Sequence, residues 1–187
     1  MPYQIGMVGA GGVGNIHAAI LAKDSRVKLR GFFDVETTRA QAMAARFGGQ
    51  AARSLEELFK GCDAIFVCTP NTTHEEVTMQ VLEAGKHVFC EKPFALNLES
   101  ATRLRNRAVR SGLVYQLGHN RRFAPVYKIL KGAIDRNEFR PLSVHAKPSS
   151  VWVNTTRPSL AAKACCASTS TKTPQRLRRA FSNASAP

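Results

Sequence analysis

The run Gly9-Ala10-Gly11-Gly12-Val13-Gly14 restricts this chain more than any other part of it. It follows an apolar stretch, residues 3–8, that reads as a strand, and it opens residues 13–22, which read as a helix. Glycines in the pattern G-x-G-x-x-G each answer a steric demand. Gly9 permits the tight turn out of the strand, Gly11 leaves room for a phosphate against the backbone, and Gly14 lets the helix pack close to the sheet. The free N–H groups and positive dipole end of that helix then face an anion.

The chain continues in the same rhythm. Strands are expected at residues 27–33, 51–53, 64–68, 87–90, 113–117 and 142–147, with helices at 38–47, 72–84, 97–111 and 125–133 and a brief one opening at Ser54. Ser54 with Glu57, and Thr72 with Glu75, have the spacing of capping boxes. Gly48, Gly85 and Gly112 stand where helices should stop. Strands alternating with helices of this length imply right-handed βαβ units. The expected fold is therefore α/β, a Rossmann-type doubly wound parallel sheet with helices on both faces. Domain boundaries are expected at 1–122 for this sheet, 123–150 for the start of a second domain, and 151–187 for a low-complexity basic tail.

Asp34 ends the second expected strand, 20 residues after Gly14. That spacing suits a carboxylate accepting from the adenosine ribose hydroxyls of a dinucleotide. Val35 and Glu36 follow, with no adjacent Arg or Ser to accommodate a 2′-phosphate, so NAD is favoured, while Arg39 leaves NADP possible. Cofactor contacts are assigned to Gly9, Gly11, Gly12, Val13, Gly14 and Asp34. The alternative for these residues is a glycine-rich turn beside an unrelated surface acid.

Three further clusters fall at expected carboxyl ends of strands, where open α/β sheets place ligands. They are Thr69-Pro70-Asn71 with His74, Glu91-Lys92-Pro93, and Gly118-His119-Asn120-Arg121-Arg122-Phe123. With Cys68 before the first cluster and Ala84-Gly85-Lys86-His87-Val88 before the second, residues 3–147 resemble the glucose–fructose oxidoreductase, inositol dehydrogenase and rhizopine-catabolism (Gfo/Idh/MocA) family. The resemblance implies an NAD(P)-dependent oxidoreductase acting on a sugar, inositol or related polyol. It implies that Thr69, Pro70, Asn71, His74, Glu91, Lys92 and Pro93 line the cofactor, and that Lys92 is catalytic. Lys92 would meet the substrate near the nicotinamide, with Asn120 and Arg121 facing the same cleft. A cis Lys92–Pro93 bond is expected as part of that turn.

The chemistry of Lys92 stands beside the resemblance. Oxidising a secondary alcohol requires hydride loss to the nicotinamide and proton loss from oxygen. A cleft lysine can orient the hydroxyl and stabilise developing alkoxide charge. Among the histidines, His74 is open to either a cofactor contact or a helix-cap role, and His119 is a weaker candidate base. His17, His87 and His145 read as packing or structural residues.

Beyond residue 147 the resemblance stops. The family continues into a second α/β domain carrying a D-x-x-x-H motif whose His serves as acid/base; here no Asp follows Asp135 and no His follows His145. Residues 159–187 have few large apolar residues and are expected to be disordered. A truncated or frameshifted product, with most of the second domain replaced, is the expectation, as is cofactor binding with little or no turnover. The usual family homo-oligomer interface would be missing with it. The alternative is a non-catalytic dinucleotide-binding regulator or interaction protein.

The net charge of +14 would suit a nucleic-acid partner, but its distribution opposes that reading. Residues 1–96 hold ten basic and ten acidic residues, whereas 140–187 hold eight basic and none acidic. Lys172, Arg176, Arg178 and Arg179 would contact phosphate without reading sequence, so nucleic acid is not the expected partner. The five cysteines have no zinc or redox spacing, so no metal is assigned. No basic start with a long apolar run and no stretch of roughly 18 apolar residues is present. A cytoplasmic protein without a membrane partner is expected.

Overall fold

The computed structural model describes residues 1–138, together with the backbone of 141–147 and 150–155. Residues 1–119 form one compact unit and a second begins at Asn120, three residues before the expected boundary.

The first unit is a six-stranded sheet in the order β3-β2-β1-β4-β5-β6, parallel throughout. Its strands are β1 (Tyr3–Val8), β2 (Val27–Phe33), β3 (Gln50–Ala51), β4 (Ala64–Val67), β5 (His87–Cys90) and β6 (Tyr115–Leu117). Between them run α1 (Gly12–Leu21), α2 (Thr37–Phe47), α3 (Leu55–Phe59), α4 (His74–Glu83) and α5 (Leu98–Ser111). The chain winds outward from β1 through β2 to β3, then returns to the other side of β1 for β4. That reversal puts a crevice between the carboxyl ends of β1 and β4, the switch point at which this architecture receives ligands.

Two apolar clusters cover the sheet, and the period of two along each strand divides residues between them. Ile5 and Met7 of β1 join Ala18 of α1 and Met43 of α2, whereas Val8 joins Leu58 of α3 and Val81 of α4. In β4, Ile65 and Val67 belong to the second cluster, while Ala64 and Phe66 pack on the first. β2 breaks the period. Leu29 and Phe32, an odd number of positions apart, share one cluster because the β1–β2 register shifts at Ile5/Gly6 and skips Arg30. The irregularity reverses the parity, so both large side chains reach the same core.

Most expected elements lie within a residue or two of their observed bounds. The Ser54 cap is present, with its hydroxyl accepting from the Glu57 N–H at 3.2 Å, but the Glu57 carboxylate reaches the Arg53 N–H instead of that of Ser54. The second expected capping box does not form. Residues Asn71–Thr73 make a 3-10 turn ahead of α4, which starts at His74 with no side-chain cap. Glu75 turns instead to Arg103 of α5, 2.7 Å away. An interhelical ion pair thus replaces a local hydrogen bond. α5 has the cap the sequence did not flag, Asn97, whose side chain accepts from the Ser100 N–H at 2.8 Å.

The second unit opens with a 3-10 turn at Asn120–Phe123 and α6 (Pro125–Asp135), with Pro125 in the first helical turn, where its missing N–H costs nothing. β7 (Pro141–Lys147) pairs antiparallel with β8 (Ser150–Thr155). β8 corrects the expectation that the tail starts at 151. Val151-Trp152-Val153 is a β-branched and aromatic run, and a partner strand outweighs the polar residues around it. The remainder of the expected tail, 156–187, lies outside the described residues.

Asn97→Ala is expected to cost about 1 kcal/mol in urea unfolding, the usual value for a helix N-cap. Thr72→Ala, at an exposed position without a capping bond, should stay within about 0.5 kcal/mol.

Candidate functional site

The glycine loop leaves β1 at its carboxyl end and turns sharply at Gly9, whose φ is +96°. A Cβ there would sit 2.5 Å from the Cys68 carbonyl oxygen, and one on Gly14 would sit 2.2 Å from the Gly9 oxygen. Both contacts are with backbone, so neither can yield; these two glycines hold β1, α1 and the end of β4 at their observed spacing. Gly11 and Gly12 differ: a Cβ on either meets nothing within 4 Å, because they face the open crevice. Asn15, one turn into α1, donates to the Ala10 and Gly11 carbonyls at 3.1 Å each and stiffens the loop.

Asp34 closes the other side of the crevice. Its Oδ2 accepts from the Ala10 N–H at 2.7 Å and its Oδ1 from the Glu36 N–H at 2.9 Å. A carboxylate offers about four acceptor positions, so two hydrogen bonds fix its orientation and leave capacity for ligand hydroxyls. Arg39 is held by the Glu36 carboxylate at 2.7 Å.

A cleft of about 530 Å³ lies along this loop. Of the residues assigned from sequence, Gly9, Gly11, Gly12, Val13, Asp34, Thr69 and Pro70 line it. Leu55, Thr73, Glu76, Val77 and Gln80 line it as well, and sequence reasoning missed them. The last four follow the i, i+3, i+4, i+7 stripe of one helix face, a signal that exists in the sequence but does not say which face meets the crevice.

The other assigned residues do not line this cleft. Gly14 is buried beneath the loop and Asn71 is exposed on the 3-10 turn. Glu91, Lys92 and Pro93 follow β5 on the same carboxyl edge of the sheet, and the Lys92–Pro93 peptide is cis. The Lys92 side chain is exposed. His74 is only 1% exposed, with Nδ1 3.0 Å from the Pro93 oxygen and Nε2 3.0 Å from the Thr69 oxygen. It joins two loops from the first turn of α4. Asn120 and Arg121 lie exposed on the 3-10 turn of the second unit.

His17 is more than the packing residue expected. Its ring meets Phe66 and Phe89 edge-on, and its Nε2 lies 2.8 Å from Glu91 Oε1. The signal was its place three residues after Gly14, on the helix leaving the loop. His87 matches its structural reading, with Nδ1 accepting from the Val114 N–H at 3.1 Å. The side chain of His145 lies outside the described residues.

Cys62, Cys68 and Cys90 are free thiols. Burial, followed by the negative charge of Glu91 and then Cys90, pushes Cys68 up to about 12. Among the described residues, no group of His, Cys, Asp or Glu is arranged to hold a metal ion. No described helix is long and apolar enough to cross a membrane.

The residues fit a dinucleotide. Two glycines occupy positions that a Cβ would fill, two more leave open backbone, and an acid is oriented at the end of β2. The buried Thr69 hydroxyl, at the edge of the cleft, has no hydrogen-bond partner among the described residues.

A chain with this sheet and this loop belongs to a recognisable class. Residues 3–119 match the model of the oxidoreductase family with an NAD-binding Rossmann fold, GFO_IDH_MocA, and the chain is a member of that family. It is 34% identical over 150 residues to glucose-6-phosphate 3-dehydrogenase of Bacillus subtilis, spanning 79% of this chain and 43% of the relative. It is 35% identical over 135 residues to myo-inositol 2-dehydrogenase of Thermotoga maritima, spanning 71% and 40%. Among solved structures, GenD2 from gentamicin A biosynthesis in complex with NAD superposes with a TM-score of 0.70 at 33% identity, over 77% of this chain and 42% of that one. Scyllo-inositol dehydrogenase from Lactobacillus casei, with NAD(H) and scyllo-inositol bound, gives 0.70 at 28% identity, over 77% and 43%. The chain thus spans less than half the length of these relatives.

The raised Cys68 thiol yields a chemical prediction, because the thiolate is the nucleophile. At pH 8.5, alkylation of Cys68 by iodoacetamide should be at least about a hundredfold slower in the folded chain than in denaturant, followed by peptide mass spectrometry.

Proposed function

We propose that this chain binds NAD in the crevice between β1 and β4, and that it belongs to a cytoplasmic enzyme transferring hydride between the nicotinamide and a sugar, inositol or related polyol. One observation carries the reading: the glycine loop, the oriented Asp34, Thr69-Pro70 and the Glu91-Lys92-Pro93 turn all stand on the same carboxyl edge of one parallel sheet. The relatives' names support the substrate class, since a glucose-6-phosphate 3-dehydrogenase and inositol dehydrogenases are among them.

In this reading the loop N–H groups and the start of α1 receive the pyrophosphate, and Asp34 receives the adenosine ribose hydroxyls. Bound NAD would supply the hydride acceptor. The work left to the chain is to orient the substrate hydroxyl and stabilise its oxygen while the proton leaves to a separate base. Lys92 is the group we assign to it: its ammonium donates to the alcohol oxygen and stabilises negative charge as the O–H bond breaks. Asn71, His74, Glu91 and Pro93 are assigned to the cofactor side, and Asn120 and Arg121 to substrate. Asp34 favours NAD over NADP because a carboxylate repels a 2′-phosphate, and Arg39, paired with Glu36, has its charge engaged. The 187 residues hold no D-x-x-x-H motif to accept that proton, so the stretch alone is expected to bind cofactor with little or no turnover.

Titration of the folded chain with NADH, followed by nicotinamide fluorescence, should saturate. Asp34→Ala should weaken NADH about tenfold, the loss of roughly 1.4 kcal/mol of hydrogen bonding, and narrow the preference over NADPH. Folded protein without saturable binding overturns the reading. Formation of NADH with a polyol substrate overturns the expectation of little turnover.

A further inference from the structure

Resting on the NAD-binding reading above, we propose that His17 and His74 are positioning residues that clamp the Glu91-Lys92-Pro93 turn from two helices and so set the nicotinamide end of the site against the glycine loop. Each histidine makes a contact distant in sequence whose other end is this turn, and neither lines the cleft at the adenosine side.

His17 lies on α1, one turn past Gly14, so its position is fixed by the same helix that leaves the phosphate loop. Phe66 of β4 and Phe89 of β5 are paired in register and stack at 4.5 Å, and the imidazole stands edge-on to both. This aromatic seat directs Nε2 to Glu91 Oε1 at 2.8 Å. The other oxygen of the same carboxylate accepts from the Lys92 N–H at 3.2 Å. Glu91 is thus a bridge from α1 to the main chain of the lysine assigned to catalysis. Room for it comes from Gly118, just past the end of β6: a Cβ there would lie 3.2 Å from Glu91 Cδ and 3.2 Å from Oε1.

His74 takes the far side of the turn. It is buried, and both ring nitrogens lie 3.0 Å from backbone carbonyls, one on Pro93 and one on Thr69. Carbonyls only accept, and a neutral imidazole has one N–H, so each tautomer donates to one of the two loops. The residue therefore donates to one of the two, the loop that edges the cleft at Thr69 or the residue immediately after Lys92, and stands 3.0 Å from the carbonyl of the other. A core position alone would be met by an apolar side chain, without the cost of burying two polar nitrogens.

Positioning and plain structural support differ in what they do to two ligands. ADP-ribose carries the adenosine, pyrophosphate and second ribose, and NADH adds the nicotinamide. Loss of general stability weakens both, whereas a misplaced turn weakens the one that reaches it. The full chain is titrated with NADH by fluorescence and with ADP-ribose by calorimetry. His17→Ala should raise the NADH Kd about tenfold and change that of ADP-ribose less than twofold. His17→Gln, whose amide N–H can still reach Glu91, should recover most of the loss. His74→Asn keeps a donor near the Pro93 carbonyl in a position where Ala would leave a buried void, and it should give the same split with a smaller effect. Equal weakening of both ligands, an unchanged NADH affinity, or no recovery in His17→Gln overturns the clamp while leaving NAD binding intact. Wild-type chain that binds neither ligand overturns the NAD reading and the clamp with it.

Discussion

The Gly9 backbone passes so close to the Cys68 carbonyl that no side chain fits between them, and the rest of the first unit is arranged around that approach. It brings the carboxyl ends of β1 and β4 together at the point where the winding of the sheet reverses. α1 can then start directly over the gap, because Gly14 tolerates the Gly9 oxygen where a Cβ would sit at 2.2 Å. The crevice, the exposed loop N–H groups and the seat of Asp34 all follow from two backbone contacts.

Four polar contacts in this frame reach across elements. Asp34 ties β2 to the loop, His17 ties α1 to the turn after β5, His74 ties α4 to two loops, and Glu75 ties α4 to α5. The surface ion pair is worth little by itself. The buried or half-buried contacts carry more, since each would leave an unpaired polar group if its partner were lost. They gather on the carboxyl edge of the sheet, where strand ends leave backbone groups free of ladder partners. A binding site and its supports therefore occupy one edge, while the two faces of the sheet are given to apolar packing.

Comparison of sequence with structure separates two kinds of signal. The strands and most helices were legible because periods of two and 3.6 are local, and so were the glycines, whose demands are steric. Thr72 misled because its spacing to Glu75 is right for a cap, yet Arg103, 28 residues beyond Glu75, offered the carboxylate a charged partner. β8 was lost in a polar context because strand formation there depends on its antiparallel partner, β7. His17 looked like packing because a helix residue beside apolar neighbours is usually that, and nothing local points to Glu91, 74 positions away.

The amino-acid sequence by itself determined the loop, the acid Asp34 that follows β2, the Glu91-Lys92-Pro93 turn and the alternation that makes the sheet parallel. These depend on spacing, and spacing is written in the chain. Only the tertiary structure decided which helix face lines the cleft, that Asp34 is oriented by the Ala10 N–H, and that two histidines hold the turn bearing Lys92. Those facts depend on which carboxyl ends become neighbours when the sheet reverses at β1, a three-dimensional closure that no local pattern encodes.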